Sequence, residues 1–334
     1  MLPRSAWTGV RLCRSGDEGD RQRRRVLQAL VGAAGAALWG VWPGRFGGGT
    51  PARAESQPLT AAPLRGGLVL LSGGAGGNVV LAAGSDGIVM VDSGAADDAG
   101  DVLGFVTERY NGAPIEVLFN THWHLAHTGG NEAVARAGAA RIAAHENTRL
   151  WMSTEFYVDW QDRTYAPRPP VARPTDTFFS SDPQPIEIAA AGRRIEYGHL
   201  PRAHTDGDIF VRFPDDNVVV AGGAVTVGCY PVVDYITGGS IDGLIDATNR
   251  LLELGDGDTQ YVPAAGPVQS ARHLEAQRDM LSAVRELMIR MANEGRSVKE
   301  MLAAGITKQF DAYWGGNAER FLLNAYLGRW GVGL

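Results

Sequence analysis

Short apolar runs separated by glycine turns set the strongest limit on how this chain can fold. Leu68-Val69-Leu70-Leu71, Asn78-Val79-Val80-Leu81 and Ile88-Val89-Met90-Val91 follow one another with Gly, Ser and Asp between them. Runs this short, bounded by turn formers, predict sequential antiparallel strands rather than helices. Residues 97–110 then place Val102, Phe105 and Val106 at helical spacing, and Ile115-Glu116-Val117-Leu118-Phe119 makes a buried strand that ends at Asn120-Thr121. A glycine-entered helix at Gly129-Gly130-Asn131-Glu132-Ala133 leads to a strand at Arg141-Ile142-Ala143-Ala144. Strands resume at Ile186-Glu187-Ile188, Arg194-Ile195-Glu196-Tyr197, Ile209-Phe210-Val211 and Val218-Val219-Val220, and helices follow at about 241–254 and 271–293. Two halves of strand, each closed by helix, predict an α/β sandwich of αββα type. Two mixed sheets pack face to face in it, and helices cover both outer faces.

Chemistry concentrates in two loops. Thr121-His122-Trp123-His124-Leu125-Ala126-His127 stands just past a strand, where the loop is free to turn side chains inward. Alternate histidines in an extended stretch point their imidazoles the same way, and zinc favours imidazole nitrogen in a tetrahedral site. Ala203-His204-Thr205-Asp206-Gly207-Asp208, far along the chain, offers a third imidazole. Three histidines and an open position describe a catalytic zinc site, in which the metal lowers the pKa of bound water to ~7.

These stretches resemble the metallo-β-lactamase superfamily, in particular its glyoxalase-II-like hydrolases with the pattern H-W-H-x-D-H-T-G-G-N. Val91-Asp92-Ser93-Gly94 matches the V-D-T-G turn and Ala203-His204-Thr205-Asp206-Gly207-Asp208 matches A-H-T-x-G-D. Val220-Ala221-Gly222-Gly223 stands where the pattern has a glycine and a bridging aspartate, and Val262-Pro263-Ala264-Ala265-Gly266-Pro267 stands for P-G-H-G-P. Five pieces in order, from about Gly67 to the last helices, carry the resemblance. It implies the metallo-β-lactamase fold, with His122, His124 and His204 as ligands of one metal ion. That ion is expected to be Zn2+, with iron and manganese as alternatives. Asp92 and Asp208 resemble the family's carboxylates that orient a ligand imidazole, against the plain reading of turn-forming aspartates beside glycine.

The departures bear on function. Ala126 replaces the aspartate that binds a second metal, Gly223 the bridging carboxylate and Ala265 a histidine. Of that second set His127 remains, as a residual donor or a solvated side chain, and one imidazole does not hold zinc. Asp234 is the nearby carboxylate that could stand in for the missing one, with packing or turn chemistry as its expected role. His145, His199 and His273 have no partners at ligand spacing and read as structural or surface residues. Residues 152–174, proline-rich and carrying Tyr157, Trp160 and Tyr165, read as a surface insertion or lid beside the site, or as a plain connection.

The first residues read differently. Arg23-Arg24-Arg25-Val26-Leu27 precedes an apolar run over 26–42, and Ala52-Arg53-Ala54 supplies small residues in an A-x-A arrangement. This resembles a twin-arginine export signal cleaved after Ala54, which implies the twin-arginine translocase as a transient partner and a periplasmic mature protein. The run is short for a ~20-residue membrane span. Residues 1–54 are thus expected as signal, 55–66 as linker and 67–334 as one domain. The 334-residue chain is 45% hydrophobic with a formal net charge of −6, which suits a full core and argues against a nucleic-acid partner. Two functions fit: a hydrolase of an ester, thioester, lactone or amide in a small-molecule substrate, or a pseudo-enzyme that binds metal or ligand without turnover.

Overall fold

The computed structural model describes residues 57–330 except 140, 180–184 and 316. The expected signal therefore lies outside the described residues.

The first half builds β1 (Gln57–Pro63), β2 (Val69–Gly74), β3 (Val79–Ala83), β4 (Ile88–Val91), α1 (Ala99–Tyr110), β5 (Ile115–Phe119), α2 (Leu125–Thr128), α3 (Asn131–Arg136), β6 (Ile142–His145) and α4 (Glu146–Ser153). A two-stranded ribbon of β7 (Phe156–Val158) and β8 (Arg163–Tyr165) follows, and then β9 (Asp176–Phe178). The first sheet runs β1-β2-β3-β4-β5-β6-β9. Its first four strands pair antiparallel, and β4, β5, β6 and β9 pair parallel. The second half builds β10 (Ile186–Ala190), β11 (Arg193–His199), β12 (Ile209–Phe213), β13 (Val218–Gly222), α5 (Ile241–Leu254), β14 (Gln260–Pro263), α6 (Ala271–Asn293), α7 (Val298–Ala303), α8 (Asp311–Trp314) and α9 (Ala318–Trp330). Its sheet runs in sequence order, antiparallel until the parallel β13–β14 pair that α5 connects.

Successive strand residues point to opposite faces. Val89, Val91, Val117 and Phe119 enter a core shared with Ile195, Ile209, Val211, Val218, Val220 and Val262 of the other sheet. Ile88, Met90 and Leu118 face the other way, against Val102, Val106 and Val134 of α1 and α3. On the far side Val219, Ala221, Phe210 and Tyr261 meet Leu244, Leu251, Leu274, Leu281 and Phe321 of α5, α6 and α9. The order helix, sheet, sheet, helix is the predicted αββα sandwich. Because both faces of the central strands are covered, strands such as β3, β4 and β13 read as continuous apolar runs rather than alternating ones.

Residues 57–63, expected as linker, instead form strand β1 at the edge of the first sheet, in register from Thr60↔Ser72 to Pro63↔Val69. Its side chains from Thr60 to Pro63 are exposed, so backbone pairing with β2 rather than an apolar face makes it a strand. No helix among the described residues is long and apolar enough to cross a membrane.

Candidate metal centre

His122 and His124 leave the carboxyl end of β5, and His204 leaves the loop between β11 and β12, so the two sheets deliver the imidazoles to one end of the sandwich. One ring nitrogen from each lies within 4.8 Å of the other two, and this is the cluster with metal-ligand chemistry among the described residues. Nitrogens bound at ~2.0–2.1 Å around a tetrahedral ion stand roughly 3.4 Å apart, so small ring rotations bring all three into place.

Hydrogen bonds at the outer nitrogens fix which inner atoms are free. His124 Nε2 lies 2.9 Å from Asp234 Oδ2, and His204 Nδ1 lies 2.7 Å from the Val232 carbonyl. A carboxylate and a carbonyl only accept, so both rings donate there and their other nitrogens carry lone pairs. Those two nitrogens, His124 Nδ1 and His204 Nε2, face each other at 3.0 Å. Two lone pairs in this arrangement would repel, and a shared cation would turn the repulsion into coordination. Burial holds the His204 imidazole neutral, with a pKa pushed down to about 3, and neighbouring His124 adds to the effect. His122 is lowered by burial as well, and then by the fields of His127, His204 and His124.

His122 is oriented through an intermediary. The Thr121 hydroxyl donates to Asp92 Oδ2 at 2.7 Å, which leaves its oxygen to accept from His122 Nδ1 at 3.0 Å and frees His122 Nε2 for a ligand role. Asp92 also accepts from the Thr121 amide at 2.7 Å and from His127 Nδ1 at 3.2 Å. It sits at φ 59°, in the left-handed region where Asp is among the better tolerated side chains. Asp92 thus reaches the His122 ring through Thr121, and His127 is turned toward it, buried 4.4 Å from the His122 ring centre. The glycines after His127 allow the histidine loop to seat on the Asp92 turn, with Gly130 against the Ser93 backbone. Asn131 locks the junction by accepting from Ser93 Oγ at 2.8 Å and exchanging two hydrogen bonds with Asn120.

Asp208 behaves differently from expectation. Its carboxyl accepts from the Thr205 amide at 2.7 Å and the Thr205 hydroxyl at 3.1 Å and reaches no imidazole. It braces the turn that carries His204, and burial raises its pKa well above the ordinary carboxylate range. The carboxylate that reaches a candidate ligand ring is Asp234, fully buried and expected from sequence as packing or turn chemistry. Burial raises the Asp234 pKa, but the hydrogen bond from His124 and the fields of His124 and His204 outweigh it, so the net shift is downward. Asp234 also donates its amide to the His204 carbonyl at 2.9 Å, which ties two of the candidate ligands to one residue.

Ala126 and Ala265 are half-buried, and Gly223 is buried against the His204 ring. The 152–174 segment packs beside the site: Trp123 lies edge-on to His124 at 4.3 Å, to Phe156 at 5.0 Å and to Tyr165 at 4.8 Å. Tyr235 donates to Asp159 at 2.6 Å and fastens the ribbon to the loop that carries Asp234. His145 and His199 stack on each other at 3.7 Å, and His273 donates to the Thr226 carbonyl at 2.7 Å, so all three are structural.

The family model described as the metallo-beta-lactamase superfamily matches residues 72–276, more than half of the chain. The chain matches no curated protein. Among solved structures it is similar to a metallo-beta-lactamase from Pontibacter korlensis, at 18% identity and a TM-score of 0.53, over 67% of this chain and 99% of that one. It is also similar to the stereoselective inverting sec-alkylsulfatase Pisa1 from Pseudomonas sp., at 16% identity and a TM-score of 0.59, over 77% of this chain. The chain spans about half of that enzyme, 48% of its length. At these identities the likeness to solved structures concerns the fold.

Proposed function

Since the chain belongs to the metallo-beta-lactamase superfamily, we propose that it is a hydrolase working with a single metal ion, zinc, held by His122, His124 and His204. The observation that carries this reading is the pair of lone-pair nitrogens on His124 and His204 facing at 3.0 Å, an arrangement that calls for a cation between them. When bound, the ion supplies Lewis-acid polarisation of a carbonyl oxygen and a water of lowered pKa. The protein's own part is orientation. Asp234, the Val232 carbonyl and Thr121 each occupy an outer nitrogen, so the inner ones stay unprotonated and aimed at one point. An ester, thioester, lactone or amide carbonyl is the bond class such a centre attacks.

One ion rather than two follows from the donors. Positions 126, 223 and 265 offer no ligand atom, and His127 spends Nδ1 on Asp92. The missing carboxylate at 126 also removes a group that aims water and moves protons. A positioned proton-transfer group contributes ~10²–10⁴-fold, so slow turnover is expected.

A second reading, a metal-binding pseudo-enzyme, draws on the same absences and on burial. His122 and His204 are 1% and 6% exposed, so the centre opens to solvent mainly past His124. The deciding experiment purifies the protein after export, measures its metal by elemental analysis, and assays a broad ester, thioester and lactone panel with and without chelator. One zinc per chain with chelator-sensitive hydrolysis supports the hydrolase. One zinc without turnover supports the pseudo-enzyme, and no metal overturns the hydrolase and the metal-binding form of the pseudo-enzyme alike. Periplasmic location belongs to the same proposal, and a reporter fused behind residues 1–54 and exported only by a twin-arginine-competent strain tests it.

A further inference from the structure

The family match ends at residue 276, yet the chain continues through α7, α8 and α9. Of these last helices, α8 and α9 touch the loop that steadies two of the three imidazoles, Asp311 through the Tyr230 hydroxyl and α9 through several residues. Residues 230–240 carry the Val232 carbonyl, which holds His204, and Asp234, which holds His124. Within that stretch one short 3-10 turn, Tyr235–Thr237, is the regular structure, so the loop depends on its neighbours for its shape. Asn317 accepts from the Tyr230 amide and donates to the Tyr230 carbonyl, both at 3.1 Å. Phe321 stacks on the Tyr230 ring at 4.9 Å. Asn324, 1% exposed, donates to the Val233 carbonyl at 3.0 Å, between the two supporting residues. Gly328 lies so close that a β-carbon on it would stand 2.7 Å from the Gly239 carbonyl oxygen and 3.3 Å from Val233 Cγ1.

We propose that helix α9 is a positioning element of the metal centre: through Asn324 and Gly328 it fixes the loop that orients His124 and His204, and so sets how tightly the three imidazoles take up metal. The inference rests on the reading that those histidines hold an ion. Ordering the loop during folding, rather than at metal uptake, spares the binding step an entropic cost, which is how preorganisation raises affinity. Glycine is a poor helix former, and its place inside α9 is explained by the close approach to Gly239.

The test compares Gly328→Ala, Gly328→Val and Asn324→Ala with the wild-type chain, and with Leu323→Ala on the exposed side of the same helix, where Leu323 is 41% exposed. Zinc affinity is read by competition with a chromophoric chelator, ligand geometry by the visible spectrum of the cobalt-substituted protein, and folding by thermal melts of the metal-free form. Gly328→Val and Asn324→Ala should weaken zinc by about tenfold or more and alter the cobalt spectrum, as changes behind metal ligands do. Gly328→Ala should move the same way by less, although alanine favours a helix, and Leu323→Ala should match wild type. Variants that melt earlier yet bind zinc within about twofold of wild type, with an unchanged cobalt spectrum, overturn the brace alone. Wild-type protein that takes up no metal overturns the reading beneath it as well.

Discussion

The His204 ring fills the space beside Gly223: a β-carbon at that position would stand 2.7 Å from His204 Cγ. The residue that the superfamily pattern replaces with a bridging aspartate is therefore closed to any side chain unless a metal-ligand candidate moves. Gly223→Asp is expected to leave the protein with at most one ion per chain and to weaken the first site by about tenfold or more, through displacement of His204. Elemental analysis and a zinc titration check it. Two ions per chain in the variant would show that the second berth was merely missing a donor.

Much of the fold was legible because its central strands are buried on both faces, so apolar runs such as Ile88-Val89-Met90-Val91 mark them without any reference to partners. Helix α5 was equally plain, since Ser240 caps it through the Gly243 amide at 3.0 Å and Gly255 ends it. Strand β1 was not, because its sequence carries no alternating apolar face and its identity comes from pairing with β2. At the site, the histidines announced themselves by type and spacing. The supporting carboxylate did not: Asp234 meets His124 across 110 residues of chain, whereas Asp208, close to His204 in sequence, serves its own turn. Nearness along the chain favoured the wrong aspartate, and the signal that could have favoured Asp234 was its place after the strand that ends at Gly222, in the loop opposite the histidines.

Asp234→Ala removes the acceptor that holds His124 Nε2 and lets the ring adopt the other tautomer. Zinc affinity should fall about 10–100-fold, while Asp234→Asn, which keeps an acceptor oxygen and loses the charge, should fall between the alanine variant and wild type. Chelator competition measures both. Affinities equal to wild type would remove Asp234 from the support of the site.

Acid should compete weakly for the centre. Burial lowers the His204 pKa to about 3 and also holds His122 well below its ordinary value, so neither ring carries a proton that metal must displace near neutral pH. Three ordinary imidazoles would lose about three protons per ion below pH ~6.5, giving a slope near three for log affinity against pH. Here the slope between roughly pH 6 and pH 4 is expected to fall well below three, because burial keeps His122 and His204 unprotonated there. Zinc titrations in a pH series decide it, and a slope near three would show that the buried rings titrate as exposed ones do.

Away from the metal, the stack of His145 on His199 gives the fold an acid limb of its own. His145 is 1% exposed, and burial, followed by the field of His199, lowers its pKa from 6.5 to about 4. The unfolded chain therefore binds this proton first as pH falls. The stability that the neutral ring contributes is complete above the unfolded value of 6.5 and is lost progressively toward about 4. His145 Nδ1 also accepts from the Asn147 amide at 3.2 Å and caps α4, a task that an asparagine side chain can perform. His145→Asn keeps the cap and removes the titration. Its packing loss lowers stability at every pH, so the slope rather than the level is diagnostic. Denaturant melts of the metal-free protein between about pH 7 and pH 4 should show a shallower acid limb for the variant than for wild type. Parallel limbs would mean that the His145 ring takes up its proton equally in both states.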